Sequence, residues 1–334
     1  DGSEPSRVNT EQSYHGYPGW SPDGTHVVFN SWVYGNESGN RQMEIFTANI
    51  STGETHRVTD NSAFDDSGRW SPDGSEVIFY SNRDGTMDLW KVPVSETGEP
   101  TGPPVKLVGT DAREHCGRWS SDGEWIVYES DQSGNNDIWV VPSDGEESTQ
   151  VTFDDYEDGY PAWSPDGMRI AFTSANDIYI MNADGSDVRQ LTFSPGYDGG
   201  PFFSPDNNKV VWRRFNPDGN SAEIWTMDID GSNQRQLTAD AMVSWGPYFH
   251  PSGDYIIYSS NILGNANFEL FMIDPQGDHS PVRVTNTEGT DILPVFSPDG
   301  GRLAWTTTRT ADGSAQIHIG DWDHQQALEL LGLD

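Results

Sequence analysis

A five-residue turn motif recurs seven times along the chain and constrains the fold more than any other feature. Most copies have the form aromatic-Ser-Pro-Asp-Gly, and they begin at Trp20, Trp70, Trp119, Trp163, Phe203, Phe249 and Phe296. The first and last copies lie 276 positions apart over six steps, so the mean period is 46 residues. Because this is the length of one four-stranded propeller blade, the repeat predicts an all-β fold, a seven-bladed β-propeller with four-stranded antiparallel blades.

The spacing within the repeat also predicts how the ring closes. In each internal repeat an apolar residue of the fourth strand lies twelve positions before the next motif, and Val8 lies twelve before Trp20. An N-terminal strand around residues 7–9 is therefore expected to complete the last blade, which would leave no open sheet edge. The C-terminal tail, residues 324–334, is the alternative candidate and otherwise forms a short helix or cap. Residues 1–334 are interpreted as a single propeller domain.

The charge balance excludes several classes of function. The 53 acidic residues against 18 basic ones give a net charge of -35, which repels phosphate and argues against a nucleic-acid partner. No apolar run approaches the roughly 18 residues that span a bilayer, so membrane insertion is not expected. Only three of the basic residues are lysines, and strong acidity with few lysines favours adaptation to a salt-rich habitat. The chain begins at Asp1 without a signal peptide, as expected of a processed secreted or periplasmic protein or of a trimmed chain.

The repeat signals resemble those of a known family. Trp-Ser-Pro-Asp-Gly, Asp-Ile-Trp (residues 137–139) and Leu-Thr (191–192) resemble the PD40 repeat of TolB-type β-propellers, and the resemblance covers essentially the whole chain. TolB itself has six blades and an additional α/β domain, so the likeness is to the family and does not transfer TolB's lipoprotein partner. The repeat is also similar to the propellers of oligogalacturonate lyases and prolyl-oligopeptidase-like peptidases. A peptidase is not expected, because the chain has no Gly-x-Ser-x-Gly motif.

A propeller usually binds ligands at the mouth of its central channel. Two sets of loops should form that mouth, those that precede each first strand and those that join the second and third strands. They are rich in aromatic residues that could contact a ligand: Tyr14, Tyr17, Trp32, Tyr156, Tyr160, Tyr197 and Trp245. The first hypothesis is therefore a non-catalytic module that binds a protein or a glycan at the mouth. A structural module of an extracellular assembly is a further alternative.

Five acidic residues occupy equivalent positions, five residues before the motif aromatic. They are Asp65, Glu114, Asp158, Asp198 and Asp291, with His15 and Ser244 in the other two repeats. A ring of carboxylates near the mouth could share Ca²⁺ or another divalent cation, since hard cations prefer oxygen ligands. The structural alternative is that each acid ties a loop to the neighbouring blade.

The alternative function is a carbohydrate-active enzyme, most plausibly a uronate lyase. A lyase needs a base to remove the proton next to the carboxylate and cations to stabilise the developing charge. The candidates for these roles are His15, His115, Tyr17, Tyr160, Arg213, Arg214 and Arg309. Resemblance to the lyases implies a histidine-bound metal, with His15 in a similar place, but the His-x-His pair of that family is absent and Asp291 fills the corresponding slot. His250, His279 and His324 fall in turns and are expected to be solvated.

Overall fold

The structure, a computed structural model, confirms the seven-bladed β-propeller. It describes residues 6–8, 15–34, 41–264, 267–309 and 313–333. Seven separate four-stranded antiparallel sheets follow one another along the chain. The first strand of each blade packs against the preceding blade, and the packing of blade 1 on blade 7 closes the circle.

The strands of the first four blades follow chain order. Blade 1 contains β2 (His15–Trp20), β3 (His26–Tyr34), β4 (Arg41–Asn49) and β5 (Thr55–Arg57). Blade 2 contains β6 (Asp65–Trp70), β7 (Glu76–Ser81), β8 (Asp88–Pro93) and β9 (Val105–Val108). Blade 3 contains β10 (Glu114–Trp119), β11 (Trp125–Ser130), β12 (Asp137–Pro142) and β13 (Thr149–Gln150). Blade 4 contains β14 (Gly159–Trp163), β15 (Arg169–Ser174), β16 (Asp177–Asn182) and β17 (Arg189–Gln190).

The last three blades include the ring closure. Blade 5 contains β18 (Tyr197–Phe203), β19 (Lys209–Phe215), β20 (Ala222–Asp228) and β21 (Arg235–Gln236). Blade 6 contains β22 (Ser244–Phe249), β23 (Ile256–Ser260), β24 (Glu269–Ile273) and β25 (Val282–Arg283). Blade 7 contains β26 (Asp291–Phe296), β27 (Arg302–Thr307), β28 (Gln316–Asp321) and, as its outer strand, β1 (Ser6–Arg7).

The N-terminal strand closes the ring, as the spacing predicted. Arg7 lies opposite His318 in the antiparallel pair of β1 and β28, and the Val8 amide donates to the Ile317 carbonyl at 3.2 Å. Val8 is buried with Ile317 and Ile319 in one apolar cluster. Because the outer edge of β28 is paired in this way, the terminal blade presents no unpaired strand there.

The C-terminal tail forms the helix α1 (His324–Leu331). Its N-cap is Asp323, whose carboxylate accepts from the Gln326 amide at 3.0 Å, and its apolar side packs on blades 6 and 7. The prediction that His250 is solvated is wrong, because its ring lies parallel to that of His324 at 4.7 Å and is buried. None of the helices in the described ranges is long and apolar enough to cross a membrane.

The turn motif is a self-contained hydrogen-bonded unit. In blade 4 the Ser164 hydroxyl donates to Asp166 at 2.6 Å and accepts from the Arg169 amide at 2.9 Å. Gly167 has φ +71°, a backbone region in which glycine is favoured over residues with a side chain. The motif therefore fixes the hairpin between the first and second strands, which explains its recurrence without any functional role.

The acid at or near the start of the third strand is also structural in five of the seven blades. In blade 4 the Thr192 hydroxyl donates to Asp177 at 2.8 Å and accepts from the Ile178 amide at 2.9 Å. The same arrangement recurs in the pairs Glu44–Thr59, Asp137–Thr152, Glu223–Thr238 and Glu269–Thr285. These contacts attach the short fourth strand to the third, so these acids are not available to a ligand.

Two of the four motif tryptophans link neighbouring blades by a hydrogen bond, whereas the indole N–H groups of Trp70 and Trp119 have no partner among the described residues. Trp163 donates its indole N–H to the Arg118 carbonyl at 3.1 Å, and Trp20 donates to the Val295 carbonyl at 3.0 Å. Each bond joins the end of one first strand to that of the preceding blade, so the aromatic contributes both packing and a polar contact.

We expect Trp163→Phe to lower the free energy of unfolding by about 1 kcal/mol, because it keeps an aromatic ring but removes this hydrogen bond. Chemical denaturation of the two proteins would measure the difference. An unchanged stability would show that the indole N–H does not contribute across the blade interface.

Candidate functional site at the channel mouth

A β-bulge interrupts the first strand of every blade near the mouth. The pairing of first and second strands shifts register at the same place in all seven blades. The residue three positions before the motif aromatic has positive φ in each case: Tyr17, Ser67, Cys116, Tyr160, Gly200, Gly246 and Leu293. Bulges redirect side chains and are common beside binding sites, so this position forms the rim of the mouth.

A second position connects four of the seven blades to the bulge region of the next one. It lies ten residues after the motif aromatic, at Asn30, Tyr80, Glu129, Thr173, Arg213, Ser259 and Thr306. In three blades its oxygen accepts a backbone N–H of the next blade, in the pairs Tyr80–Gly117, Glu129–Tyr160 and Thr173–Gly200. Asn30 instead donates to Asp66 of the next blade at 2.6 Å. A polar side chain at this position therefore joins two blades in four cases, whereas the hydroxyls of Ser259 and Thr306 have no hydrogen-bond partner among the described residues.

Arg213 departs from this pattern. Its guanidinium group has no acceptor to offer a backbone N–H. Arg213 is 8% exposed, forms no ion pair with any carboxylate that the structure describes, and its Nε has no hydrogen-bond partner. A buried charge without a counter-ion is unfavourable, and exceptions to a repeated structural rule are expected at functional sites.

Aromatic side chains surround this arginine. The guanidinium carbon lies 3.9 Å from the centre of the Trp245 ring and 5.4 Å from that of Tyr160. Phe215 bridges Trp245 and Tyr197, at ring distances of 5.9 Å and 6.0 Å. We refer to Arg213, Tyr160, Tyr197, Phe215 and Trp245 as the mouth cluster.

The glycine pair in β18 makes room for the arginine. Gly200 occupies the bulge position of blade 5 with φ +65°, and a Cβ there would lie 2.5 Å from Nη1 of Arg213. Burial lowers the pKa of the Arg213 guanidinium, while Tyr197 and Tyr160 nearby oppose that shift. The arginine remains cationic at neutral pH, so it presents an uncompensated charge to the mouth.

Three of the five equivalent acids are neutralised within their own blades. The ion pairs are Asp65–Arg83 at 3.0 Å, Asp198–Arg214 at 2.6 Å and 2.7 Å, and Asp291–Arg309. All three carboxylates are buried. Arg214 and Arg309, proposed from the sequence as catalytic candidates, are therefore the counter-ions of structural carboxylates, whereas Arg213 is not.

Glu114 and His15 occupy the same position in blades 3 and 1 and are also buried. Glu114 accepts from the Thr110 hydroxyl at 2.8 Å, and burial, with Asp88 nearby, raises its pKa to about 7. The His15 ring packs edge-on against Phe29 at 5.4 Å. Both side chains belong to the interior of their blades.

Asp158 in blade 4 is the exception among the acids. It is 1% exposed, yet neither carboxylate oxygen has a hydrogen-bond partner among the described residues. Burial raises its pKa to about 6. The nearby hydroxyls of Ser174 and Thr152 act in the opposite direction, although neither forms a hydrogen bond with the carboxylate. Asp158 thus lacks the arginine that Asp65, Asp198 and Asp291 have, and among the described residues it also lacks the hydroxyl donors that Glu114 has in Thr110 and Ser130.

A cleft of about 390 Å³ opens above Asp158. Its cause is local, because β15 and β16 are joined by only two residues, Ala175 and Asn176, both with positive φ as in a tight hairpin turn. Tyr156, Tyr160, Tyr197, Glu129 and Glu157 are among the residues that line the cleft. Tyr160 and Tyr197 belong to both the cleft and the mouth cluster, so the two features form one continuous surface.

The predicted divalent-cation site is not assembled. The five carboxylates lie in five different blades, and no three His, Cys, Asp or Glu side chains in the described part of the chain could together hold a metal ion. His115 is half-buried with its ring 5.8 Å from Tyr80, and burial, with Arg113 nearby, lowers its pKa. In the described residues these side chains do not together form a site for a resident metal.

The remaining predicted contact residues lie elsewhere on the mouth. Tyr17 is half-exposed on the bulge of blade 1, and Trp32 packs edge-on against Phe64 at 5.8 Å. Tyr14 lies outside the described residues. Sequence reasoning missed Glu129 and Phe215; counting ten residues from each motif aromatic would have identified Glu129.

A family model described as the TolB beta propeller domain, PD40, matches residues 2–102 and 155–268, which is more than half of the chain. The chain belongs to the TolB β-propeller family. A comparison with curated protein sequences found no match.

Solved structures show the same fold at low identity to this TolB-family chain. An oligogalacturonate lyase from Vibrio parahaemolyticus is 14% identical with a TM-score of 0.73, over 96% of this chain and 93% of the lyase. An oligogalacturonate lyase in complex with manganese is 16% identical with a TM-score of 0.72, over the same shares. TolB from Acinetobacter baumannii is 21% identical with a TM-score of 0.52, over 72% of this chain and 58% of that protein. At these identities the likeness shows the fold alone.

Proposed function

We propose that this TolB-family propeller is a non-catalytic binding module that captures a partner protein at its channel mouth. The observation that carries the proposal is Arg213, a buried guanidinium that stacks on Trp245 and has no counter-ion among the described residues. A carboxylate of the partner would supply the missing anion, and the planar guanidinium suits a two-point contact with it.

The composition of the mouth cluster favours a protein over other ligands. Tyr, Trp and Arg are the residues that most often dominate the energy of protein–protein interfaces. The net charge of -35 would steer a partner with a basic surface toward the propeller and repel nucleic acid. Family membership supports a secreted or periplasmic location, and the acidity supports adaptation to high salt.

Selection of peptides from a random library displayed on phage tests this proposal. The immobilised protein should enrich peptides that contain an acidic residue, and Arg213→Met should weaken their binding at least tenfold. Arg169→Met is the matched control, because Arg169 begins β15 at the opposite end of its strand and forms no ion pair with a described carboxylate. Peptides that bind Arg213→Met as well as the wild type, or no enrichment at all, would contradict the proposal.

A uronate lyase is the second candidate. It is supported by the full-length likeness to oligogalacturonate lyases and by an arginine among aromatic rings, which could hold a uronate carboxylate and stack on a sugar. Incubation with a panel of uronate polysaccharides, with and without Ca²⁺ or Mn²⁺, would reveal unsaturated uronate by ultraviolet absorbance. We expect no signal; a rising signal that Arg213→Met or His115→Ala abolishes would make the protein a lyase.

A further inference from the structure

We propose that the cleft in blade 4 is a socket for the guanidinium group of an arginine side chain supplied by the partner. This inference rests on the proposed function and specifies one residue type through which the partner would bind. It comes from comparing the equivalent acids of the blades: three are paired with an arginine, Glu114 in blade 3 accepts hydroxyl hydrogen bonds instead, and Asp158 in blade 4 has neither among the described residues and lines an open cleft.

The equivalent position is filled from within the chain in three blades. Arg83, Arg214 and Arg309 come from the second strand or the loop after it, and each neutralises the acid that begins its own first strand. In blade 5 the pairing is direct, because Arg214 lies opposite Asp198 in the sheet. The fold therefore has a defined place for a guanidinium above this acid.

Blade 4 has the acid without the arginine. Ser174 occupies the position of Arg214, eleven residues after the motif aromatic, and the two-residue turn brings no basic side chain. Asp158 is left almost fully buried, neither of its oxygens has a hydrogen-bond partner in the described part of the chain, and it lines a cleft that a side chain could enter. The open space and the unpaired carboxylate mark where the missing guanidinium would lie.

The walls of the cleft suit a planar cation. Asp158, Glu129 and Glu157 supply carboxylates, and Tyr156, Tyr160 and Tyr197 supply aromatic rings; no residue that lines the cleft is basic. A guanidinium can pair with a carboxylate in its plane while its faces stack on aromatic rings, which an ammonium group does less well. The chemistry favours arginine over lysine.

Titration with N-acetyl-arginine amide, followed by calorimetry at low ionic strength, tests the socket directly. The arginine compound should bind at least tenfold more tightly than N-acetyl-citrulline amide, which has the same shape without the charge. Asp158→Asn should remove this preference, whereas Asp155→Asn, an exposed acid of the same loop that does not line the cleft, should retain it. Equal binding of the two compounds, or a preference that survives in Asp158→Asn, would overturn the inference.

Ser174→Arg provides an independent test, since it places an arginine where blade 5 has one. It should raise the melting temperature and abolish binding of N-acetyl-arginine amide; a folded variant that still binds the compound would contradict the socket.

The library peptides separate this inference from the proposed function. Peptides that depend on Arg213, and in which replacing arginine by citrulline weakens binding at least tenfold, would support both. Peptides that depend on Arg213 but contain no required arginine would support the proposed function and overturn the socket.

Discussion

Replacing Arg214 by methionine is expected to lower the free energy of unfolding by about 3–5 kcal/mol. The substitution leaves Asp198 buried without its counter-ion, and removing one partner of a buried ion pair has an effect of this size. Urea denaturation of the variant and the wild type would measure the loss.

Arg213→Met is the matched control, because it changes the adjacent residue in the same strand. Arg213 has no counter-ion among the described carboxylates, so its replacement should change the stability by less than about 1 kcal/mol while removing ligand binding. A loss as large as that of Arg214→Met would show that Arg213 is structural and would remove the main support for the mouth cluster as a binding site.

Asp158→Asn is expected to stabilise the free protein above pH 6 and not below about pH 4. The pKa of Asp158 is raised to about 6 in the folded state, from an ordinary value of 3.8, chiefly by burial. The native protein therefore binds the proton more tightly than the unfolded chain does, and the wild type loses stability as the pH rises through this window. Asparagine does not titrate, so the variant should gain about 1–2 kcal/mol at pH 7 once solvent screening is allowed for.

The equivalent substitution in blade 5 should destabilise the protein instead. Asp198→Asn removes a carboxylate that two hydrogen bonds join to Arg214, so we expect a loss of about 3 kcal/mol at pH 7. Thermal melts of both variants at several pH values would compare them. A loss of stability in Asp158→Asn at pH 7 would show that this carboxylate has a partner in the native protein.

The overall fold was predictable because its determinants are local and repeated. The turn motif fixes one hairpin in each blade through contacts within six residues, as Ser164 and Asp166 show. The twelve-residue spacing placed Val8 in the last blade, and the structure confirms it. The sequence left two structures open for the tail. Its apolar residues could pair as a strand or pack as a helix, and the outcome depends on which segment occupies the edge of β28.

The candidate site was predictable only in part. The mouth loops identified Tyr160, Tyr197, Trp245 and Arg213, which the structure brings together. The different surroundings of Arg213 and Arg214 follow from strand geometry, since adjacent residues of a strand point to opposite faces. Which of the two arginines meets Asp198 depends on the register in which β18 pairs with β19. That register cannot be read from the sequence alone.

The residues of the loop after the second strand account for the remaining difference. Asp158 occupies the same position in the repeat as Asp65 and Asp291. The prediction from sequence therefore assigned all three the same role. In blades 2 and 7 the loop after the second strand contributes an arginine, whereas the two-residue turn of blade 4 contributes none. Whether a buried carboxylate has a partner depends on how the side chains are arranged in space. The missing partner of Asp158 was therefore recognised only from the structure.

The crystal structure of the protein with a peptide selected from the library would test the central claim most directly. We predict that a peptide carboxylate lies within hydrogen-bond distance of the Arg213 guanidinium and that a peptide arginine occupies the cleft above Asp158. A peptide bound away from the mouth, with Arg213 and Asp158 uncontacted, would contradict the account.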